Sequence, residues 1–258
     1  MNNQPKKSLG QHWLYDESII KSIIDQAKLT DNDTVLEIGP GLGTMTKQLV
    51  AEAGEVLAVE YDEQLASELP QRVVAENLQV QQADVLDFDF TALPAGYKVV
   101  ANIPYYLTSH LIRRLLESNN KPAIIVLLIQ QEVAERIVAA PGQMSLLSIS
   151  AQHYALVRLG PFVAAEHFEP PPKVDSQVVI LTPKERPHMI DQRQFFKLVK
   201  AGFGEKRKKL RNSISGGLGV EKELVASTLE ELQLNPNVRA QELSLEQWYK
   251  LYEHLEHA

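Results

Sequence analysis

Short apolar runs alternate with amphipathic stretches through the first two thirds of the chain. Thr34–Ile38, Glu55–Glu60, Leu78–Val85, Lys98–Ala101 and the unbroken apolar run Ala123–Ile129 read as strands. Between them, apolar residues fall at helical spacing. Ile19, Ile20, Ile23 and Ile24 follow Asp16, a residue suited to an N-cap. Met45, Leu49 and Val50 form a second stripe, Leu65 and Leu69 a third, and Leu111, Leu115 and Leu116 a fourth, with Thr108 or Ser109 as the expected cap. Gln131–Ala140 predicts a helix stopped by Pro141-Gly142. Ala155–Val163 and Gln177–Leu181 predict two more strands around the proline-bound loop Phe168–Asp175. The alternation predicts an α/β fold: a doubly wound, mostly parallel sheet closed by an antiparallel pair, with Ala123–Ile129 buried at its centre.

The pattern changes after the two prolines of Thr182–Pro187. Beyond them Phe196/Val199/Phe203, Val225/Leu229/Leu232 and Leu245/Trp248/Tyr252/Leu255 all recur at helical spacing. Residues 1–183 are therefore expected to form the main domain, with 1–14 as an N-terminal arm, and 184–258 a small helical one. Trp13 and Leu14 beside Gly10 suggest that the arm docks, although a loose tail fits the same residues.

Composition narrows the setting. An apolar content of 44% and a charged content of 23% are those of an ordinary globular protein. No apolar run is long enough to cross a bilayer, and Lys6 and Lys7 have no apolar segment behind them as a secretory signal would. The absence of cysteine removes disulfide and thiolate chemistry, and a reducing cytosol is the simplest home. The net charge of −7 argues against a polyanion binder, but its distribution argues for one. Arg193–Arg211 holds eight basic residues and one acidic, and Lys206-Arg207-Lys208-Lys209 with Arg211 is its densest part, expected on one helix ended by Gly216-Gly217. A solvated helix face is the alternative for such a run.

The chemistry concentrates at two motifs. Glu37-Ile38-Gly39-Pro40-Gly41-Leu42-Gly43-Thr44 breaks a strand into alternating glycines ahead of a helix, so main chain can approach a ligand and the helix aims free N–H groups at its anionic part. The dinucleotide fingerprint needs a glycine where Thr44 stands; a dinucleotide site and a plain structural turn stay open on this motif alone. Glu60, at the end of the second strand, is placed to accept from ribose hydroxyls, a solvated strand-end glutamate being the alternative; Asp84 fits an acceptor for an exocyclic adenine amine and a turn-forming aspartate equally. The second motif is Asn102-Ile103-Pro104-Tyr105, where the fourth strand opens onto the ligand crevice. An adenine amine is a poor nucleophile because its lone pair is delocalised into the ring. The Asn102 oxygen and the Pro104 carbonyl can accept its two N–H groups and favour a pyramidal nitrogen, while Tyr105 offers a flat face worth roughly 1–3 kcal/mol of stacking. Positioning would carry most of such a reaction; no metal-ligand cluster or His/Asp pair accompanies the motif.

The glycine motif resembles that of class I methyltransferases, and Asn102–Tyr105 resembles the N-I/L-P-Y signature of ribosomal RNA adenine dimethyltransferases. The similarity runs from Lys6 to Leu255, through Lys7–Gln11, Leu36–Gly43, Phe168–Ser176, Lys208–Ser213 and Arg239–Ser244. It implies a Rossmann-like methyltransferase sheet with a helical RNA- and ribosome-binding C-terminal domain, and S-adenosylmethionine as cofactor, leaving as S-adenosylhomocysteine. Cofactor contacts fall on His12, Leu14, Gly39, Gly41, Glu60, Asp84 and Asn102. Asn102, Pro104, Tyr105 and Phe168 would hold the target base, and Lys206, Arg207, Lys208, Lys209 and Arg211 the RNA. Similarity is strongest to bacterial members acting on 16S ribosomal RNA in the small subunit, as cytoplasmic monomers. Members acting on large-subunit RNA, and a role in ribosome assembly without catalysis, are the other readings. The family usually has Asn-Phe where this chain has His12-Trp13, and Tyr-Gly where it has Met144-Ser145.

Overall fold

Each apolar run of the first two thirds becomes a strand, and the stripes between them become the helices that cover the sheet. The computed structural model describes residue 6 and residues 10–185, 190–205 and 207–256, with Tyr105 and Glu256 described by their backbone alone. In chain order the elements are β1 (Trp13–Leu14), α1 (Glu17–Ile24), β2 (Thr34–Ile38), α2 (Thr44–Glu52), β3 (Glu55–Glu60), α3 (Glu63–Arg72), β4 (Leu78–Gln82), β5 (Lys98–Asn102), α4 (Thr108–Glu117) and β6 (Ile124–Gln130). They continue as α5 (Gln131–Ile137), α6 (Leu146–Tyr154), β7 (Ala155–Val163), β8 (Phe168–Glu169), β9 (Ser176–Pro183), α7 (Gln192–Phe203), α8 (Leu210–Leu218), α9 (Lys222–Glu231) and α10 (Leu245–Glu256).

Seven strands lie in the order β4-β3-β2-β5-β6-β9-β7. The first five are parallel; β9 runs antiparallel to β6 and to β7, the closing pair that the sequence predicts. Strand order reverses between β2 and β5, which is where an open α/β sheet leaves a crevice at its carboxyl edge. The register Ile38↔Ala101 carries Gly39 and Asn102 past the strand ends side by side at that edge. α1 covers the sheet with Ile20, Ile23 and Ile24, and Asp16 caps it by accepting from the Ser18 and Ile19 N–H groups. β1 and β8 make a separate two-stranded ladder, which docks the N-terminal arm.

Contacts group the described chain into two units, residues 1–135 with 154–184, and residues 136–153 with 185–258. The second unit is helical and has its own core, in which Met144 and Ile149 join Phe195, Leu198, Leu210, Ile214, Leu229, Trp248 and Leu251. The buried His153 ring stacks on Phe195 and its Nδ1 pairs with the Tyr249 hydroxyl at 2.9 Å.

Several local expectations are corrected. Among the described residues no side chain caps α4: the Tyr105–Leu107 turn closes through Leu107 N–H to Pro104 O (3.0 Å) and runs straight into the helix, burying Thr108. α5 ends at Ile137, before Pro141, because Gln152 Nε2 takes the carbonyls of Ile137 and Ala139. β4 stops at Gln82, leaving Asp84 in the turn beyond it. The basic run is not one helix. α7 ends at Phe203 and α8 begins at Leu210, whose N–H is drawn to Val238 O at 2.8 Å, so Arg207, Lys208 and Lys209 lie in the connection. Gly216 and Gly217 sit inside α8 rather than ending it. A Cβ on Gly217 would stand 2.7 Å from that of Ala201, so glycine here permits close helix packing; Gly219, at φ +73°, is the stop.

Candidate active site

A cavity of about 360 Å³ opens at the carboxyl edge of the sheet over β2 and β5. That is within the roughly 300–1,000 Å³ of cofactor and ligand sites. It gathers His12, Leu14, Gly39, Gly41, Glu60, Asp84, Asn102, Pro104 and Phe168, all expected from the sequence. The Tyr105 side chain lies outside what the structure describes, and only its place in the turn after Pro104 is given.

The glycine loop is shaped by different demands at different positions. Gly41, at φ +58°, faces the arm: a Cβ there would stand 3.2 Å from Trp13 Nε1. Gly43, at φ +81°, faces away from the cavity, and its Cβ would strike Leu69 and Val73 at 2.7 and 2.9 Å. The third glycine therefore lets α2 and α3 pack, while Gly41 lets the arm close over the loop. α2 starts at Thr44 with no side-chain cap, which leaves its first N–H groups for a ligand.

Three carboxyl groups line the cavity. Glu37 is fully buried on β2, with Oε2 unpartnered among the described residues. Burial pushes its pKa up to about 8; the Thr46 hydroxyl works against that rise and the Glu60 charge adds to it. Glu60 accepts from Gly41 N–H at 3.1 Å and from Asp62 N–H at 2.9 Å, and so braces the glycine loop. Burial raises its pKa against those two hydrogen bonds. Each Glu60 oxygen keeps a lone pair, which leaves room for the expected ribose contact. Asp84 Oδ1 accepts from Leu86 N–H at 2.8 Å, which fixes its turn at the cavity wall. Glu60 and Asp84 disfavour a pyrophosphate and suit a nucleoside that carries positive charge, while Glu37 stays mostly protonated near neutral pH. The apolar wall of Ile38, Met45, Val59 and Ile103 can hold its rings and methylenes.

Asn102 sits at the end of β5 with its amide oriented: Nδ2 donates to His12 O at 3.2 Å. Its Oδ1 is thereby the acceptor that a cavity-lining side chain presents. Pro104 O accepts from Leu107 N–H and retains a second lone pair. Phe168 is buried, paired through the ladder with Leu14, and forms one wall of the cavity.

The cations of the C-terminal unit are arranged more loosely. Arg207 is exposed, and Lys208 is exposed and paired with Glu205. Lys209 Nζ and Arg211 Nη2 both donate to Asn237 Oδ1, at 2.7 and 3.3 Å. Lys206 lies outside the described residues. Lys197 and Lys200 of α7 flank a shallow groove against α8 with Ser213 and Gly216.

Sequence reading assigned no role to Glu37, Tyr61 or Tyr106, which also line the cavity. An acidic residue inside an apolar strand was the available signal for Glu37. The two tyrosines stand exposed on loops, and only the packing of those loops brings them to the rim.

The family model described as ribosomal RNA adenine dimethylase matches residues 2–257. The small-subunit ribosomal RNA methyltransferase A of Dehalococcoides mccartyi is 39% identical over 252 residues, covering 95% of this chain and 87% of the relative. A dimethyladenosine transferase from Plasmodium falciparum superimposes with a TM-score of 0.83 at 29% identity, over 95% of this chain and 98% of that one. The 23S ribosomal RNA methyltransferase ErmE superimposes with a TM-score of 0.78 at 26% identity, over 95% and 99%.

Proposed function

The chain belongs to the ribosomal RNA adenine dimethylase family, and from that premise we propose that it dimethylates N6 of two adjacent adenosines near the 3′ end of 16S ribosomal RNA, within the small subunit or its precursor. The observation that carries this reading is the oriented Asn102 amide beside the Pro104 carbonyl, at the mouth of a cavity lined by carboxyl groups. Two acceptors on one amine draw its N–H groups out of the base plane and release the nitrogen lone pair. Phe168 supplies an apolar wall, and we assign the Tyr105 ring to the face of the base. No strong base is needed, because the methylated amine is acidic once it has lost conjugation, so holding the amine in line is the main catalytic contribution.

We assign S-adenosylmethionine to the cavity, where it supplies an electrophilic methyl group on a sulfonium centre. Gly39, Gly41 and Leu14 would surround it, with His12 through its main chain only; Glu60 would take its ribose hydroxyls and Asp84 its adenine amine. The sulfonium charge agrees with the carboxylate lining, and the first N–H groups of α2 suit a carboxylate. Arg207, Lys208, Lys209 and Arg211, with Lys206, are proposed to meet RNA phosphates from the helical unit, so affinity is salt-dependent while the pocket selects the base. A cysteine-free chain working on ribosomal particles is assigned to the cytoplasm, as a monomer.

The test is transfer of labelled methyl groups to unmethylated small subunits, large subunits and the naked RNAs, with the product nucleosides identified. N6,N6-dimethyladenosine in the small subunit is the expected result. Label confined to large-subunit RNA would transfer the chain to the ErmE-like activity. Label in none of them would remove the proposal.

A further inference from the structure

Resemblance places residue 12 among the cofactor contacts, and two hydrogen bonds of this histidine reach the base pocket. His12 Nδ1 lies 2.7 Å from Pro170 O. A carbonyl can only accept, so Nδ1 carries the hydrogen. The His12 carbonyl accepts from Asn102 Nδ2 at 3.2 Å. One residue therefore touches both parts of the base pocket, the acceptor grip at Asn102 and the segment after Phe168.

The backbone explains why a side chain is needed there. β1 and β8 pair over two residues, Trp13↔Glu169 and Leu14↔Phe168. The residue after β8 is Pro170, which has no N–H and cannot extend the ladder. Two rungs make a marginal ribbon. The His12 ring supplies a further rung from the side, at the point where main-chain pairing stops.

We propose that the His12 side chain is a positioning residue for the RNA base rather than a holder of the methyl donor: it latches Phe168–Pro170 to the arm, while its carbonyl orients the Asn102 amide. This rests on the base-methylation reading above and adds a division of labour within it. Chemistry also identifies the conservative replacement. Nδ1 of histidine and Nδ2 of asparagine stand the same number of bonds from Cα, so His12→Asn keeps the donor in place. His12→Leu approximates the bulk without a donor, and His12→Gln carries its donor one bond too far.

The experiment uses the full chain and unmethylated small subunits. It measures S-adenosylmethionine affinity by calorimetry, and kcat and the KM for subunits at saturating S-adenosylmethionine. His12→Leu is expected to lower kcat/KM for subunits roughly tenfold, the worth of about one hydrogen bond. Cofactor affinity should stay within about twofold, and His12→Asn should restore most of the loss where His12→Gln does not. Weakened cofactor binding with unchanged kcat/KM for subunits would return the side chain to the cofactor and overturn the proposal. Equal behaviour of the Asn and Leu variants would overturn it too, because a merely structural side chain would not distinguish them. Should His12→Leu melt early, the Asn and Gln variants carry the same comparison. Failure of the unaltered protein to methylate subunits bears on the proposed function instead, and is seen in the control arm.

Discussion

The cavity at the sheet edge and the basic connection between α7 and α8 handle polar groups in opposite ways. At the sheet edge the polar groups are held in place by hydrogen bonds while they keep acceptors for a ligand. Glu60 braces Gly41 and Asp62, Asn102 is tied to His12 O, and Pro104 O closes its turn. In the C-terminal unit the cations are exposed or share one asparagine oxygen, Asn237 Oδ1. Buried, oriented groups act strongly at one geometry and lose most of their effect when displaced slightly. Solvated charges act over a Debye length, add up gradually and are screened by salt. A fixed pocket can therefore choose one atom of one base, while loose cations tolerate the varied backbone of a folded RNA.

The contrast breaks first at Asn102. Asn102→Ala should reduce methyl transfer by about 10²–10³-fold, the usual result of deleting one preorganised polar partner of a transition state. S-adenosylmethionine-dependent thermal stabilisation should largely survive, and unchanged turnover would take Asn102 out of the reaction. In the other region, Ala at Arg207, Lys208 and Lys209 together should weaken RNA binding roughly ten- to hundredfold, with a shallower dependence of log Kd on log salt, by about 1 per lost phosphate contact. An unaltered salt slope would move the RNA face elsewhere.

Glu37 sharpens the comparison through pH. Its folded-state pKa lies above the unfolded value, so the unfolded chain releases this proton first as pH rises. The stability it contributes is complete below about pH 4.5 and is lost by about pH 8, and burial of Glu60 acts in the same direction. Glu37→Gln removes the first part. In urea titrations at pH 5, 7 and 9 the variant should gain on the parent as pH rises, by roughly 4 kcal/mol in total. Parallel curves would show that Glu37 does not titrate in this window. The smallest effect is expected at Gly41. Gly41→Ala places a side chain at φ +58° and against Trp13, which should lower stability by about 1 kcal/mol. It should also expose Trp13, read as a red shift of tryptophan emission; an unshifted spectrum would mean that the arm stays docked.

Much of the fold was legible because strand and helix periods are local. Asp16 as a cap, the buried run through Leu127 and Leu128, and the antiparallel pair Ser176–Pro183 with Ala155–Val163 all follow from neighbours in sequence. Legibility failed where distant chain intervened. The break between α7 and α8 depends on Val238, the early end of α5 on Gln152, and the need for glycine at 217 on the close approach of Ala201. The residues 136–153 group with helices that begin some fifty positions later, and no pattern within them signals that.

The succession of strands and helices along the chain, the glycine loop, the Asn102–Tyr105 motif and the clustering of positive charge were set by the sequence alone, because each depends on residues within one or two helical turns of each other. Which atom of Asn102 faces the cavity, what Gly43 is for, and where the His12 ring goes were decided only in three dimensions. Those outcomes depend on contacts between segments 26 to 158 residues apart, and hydrogen-bond geometry across such distances is fixed by packing rather than by local preference.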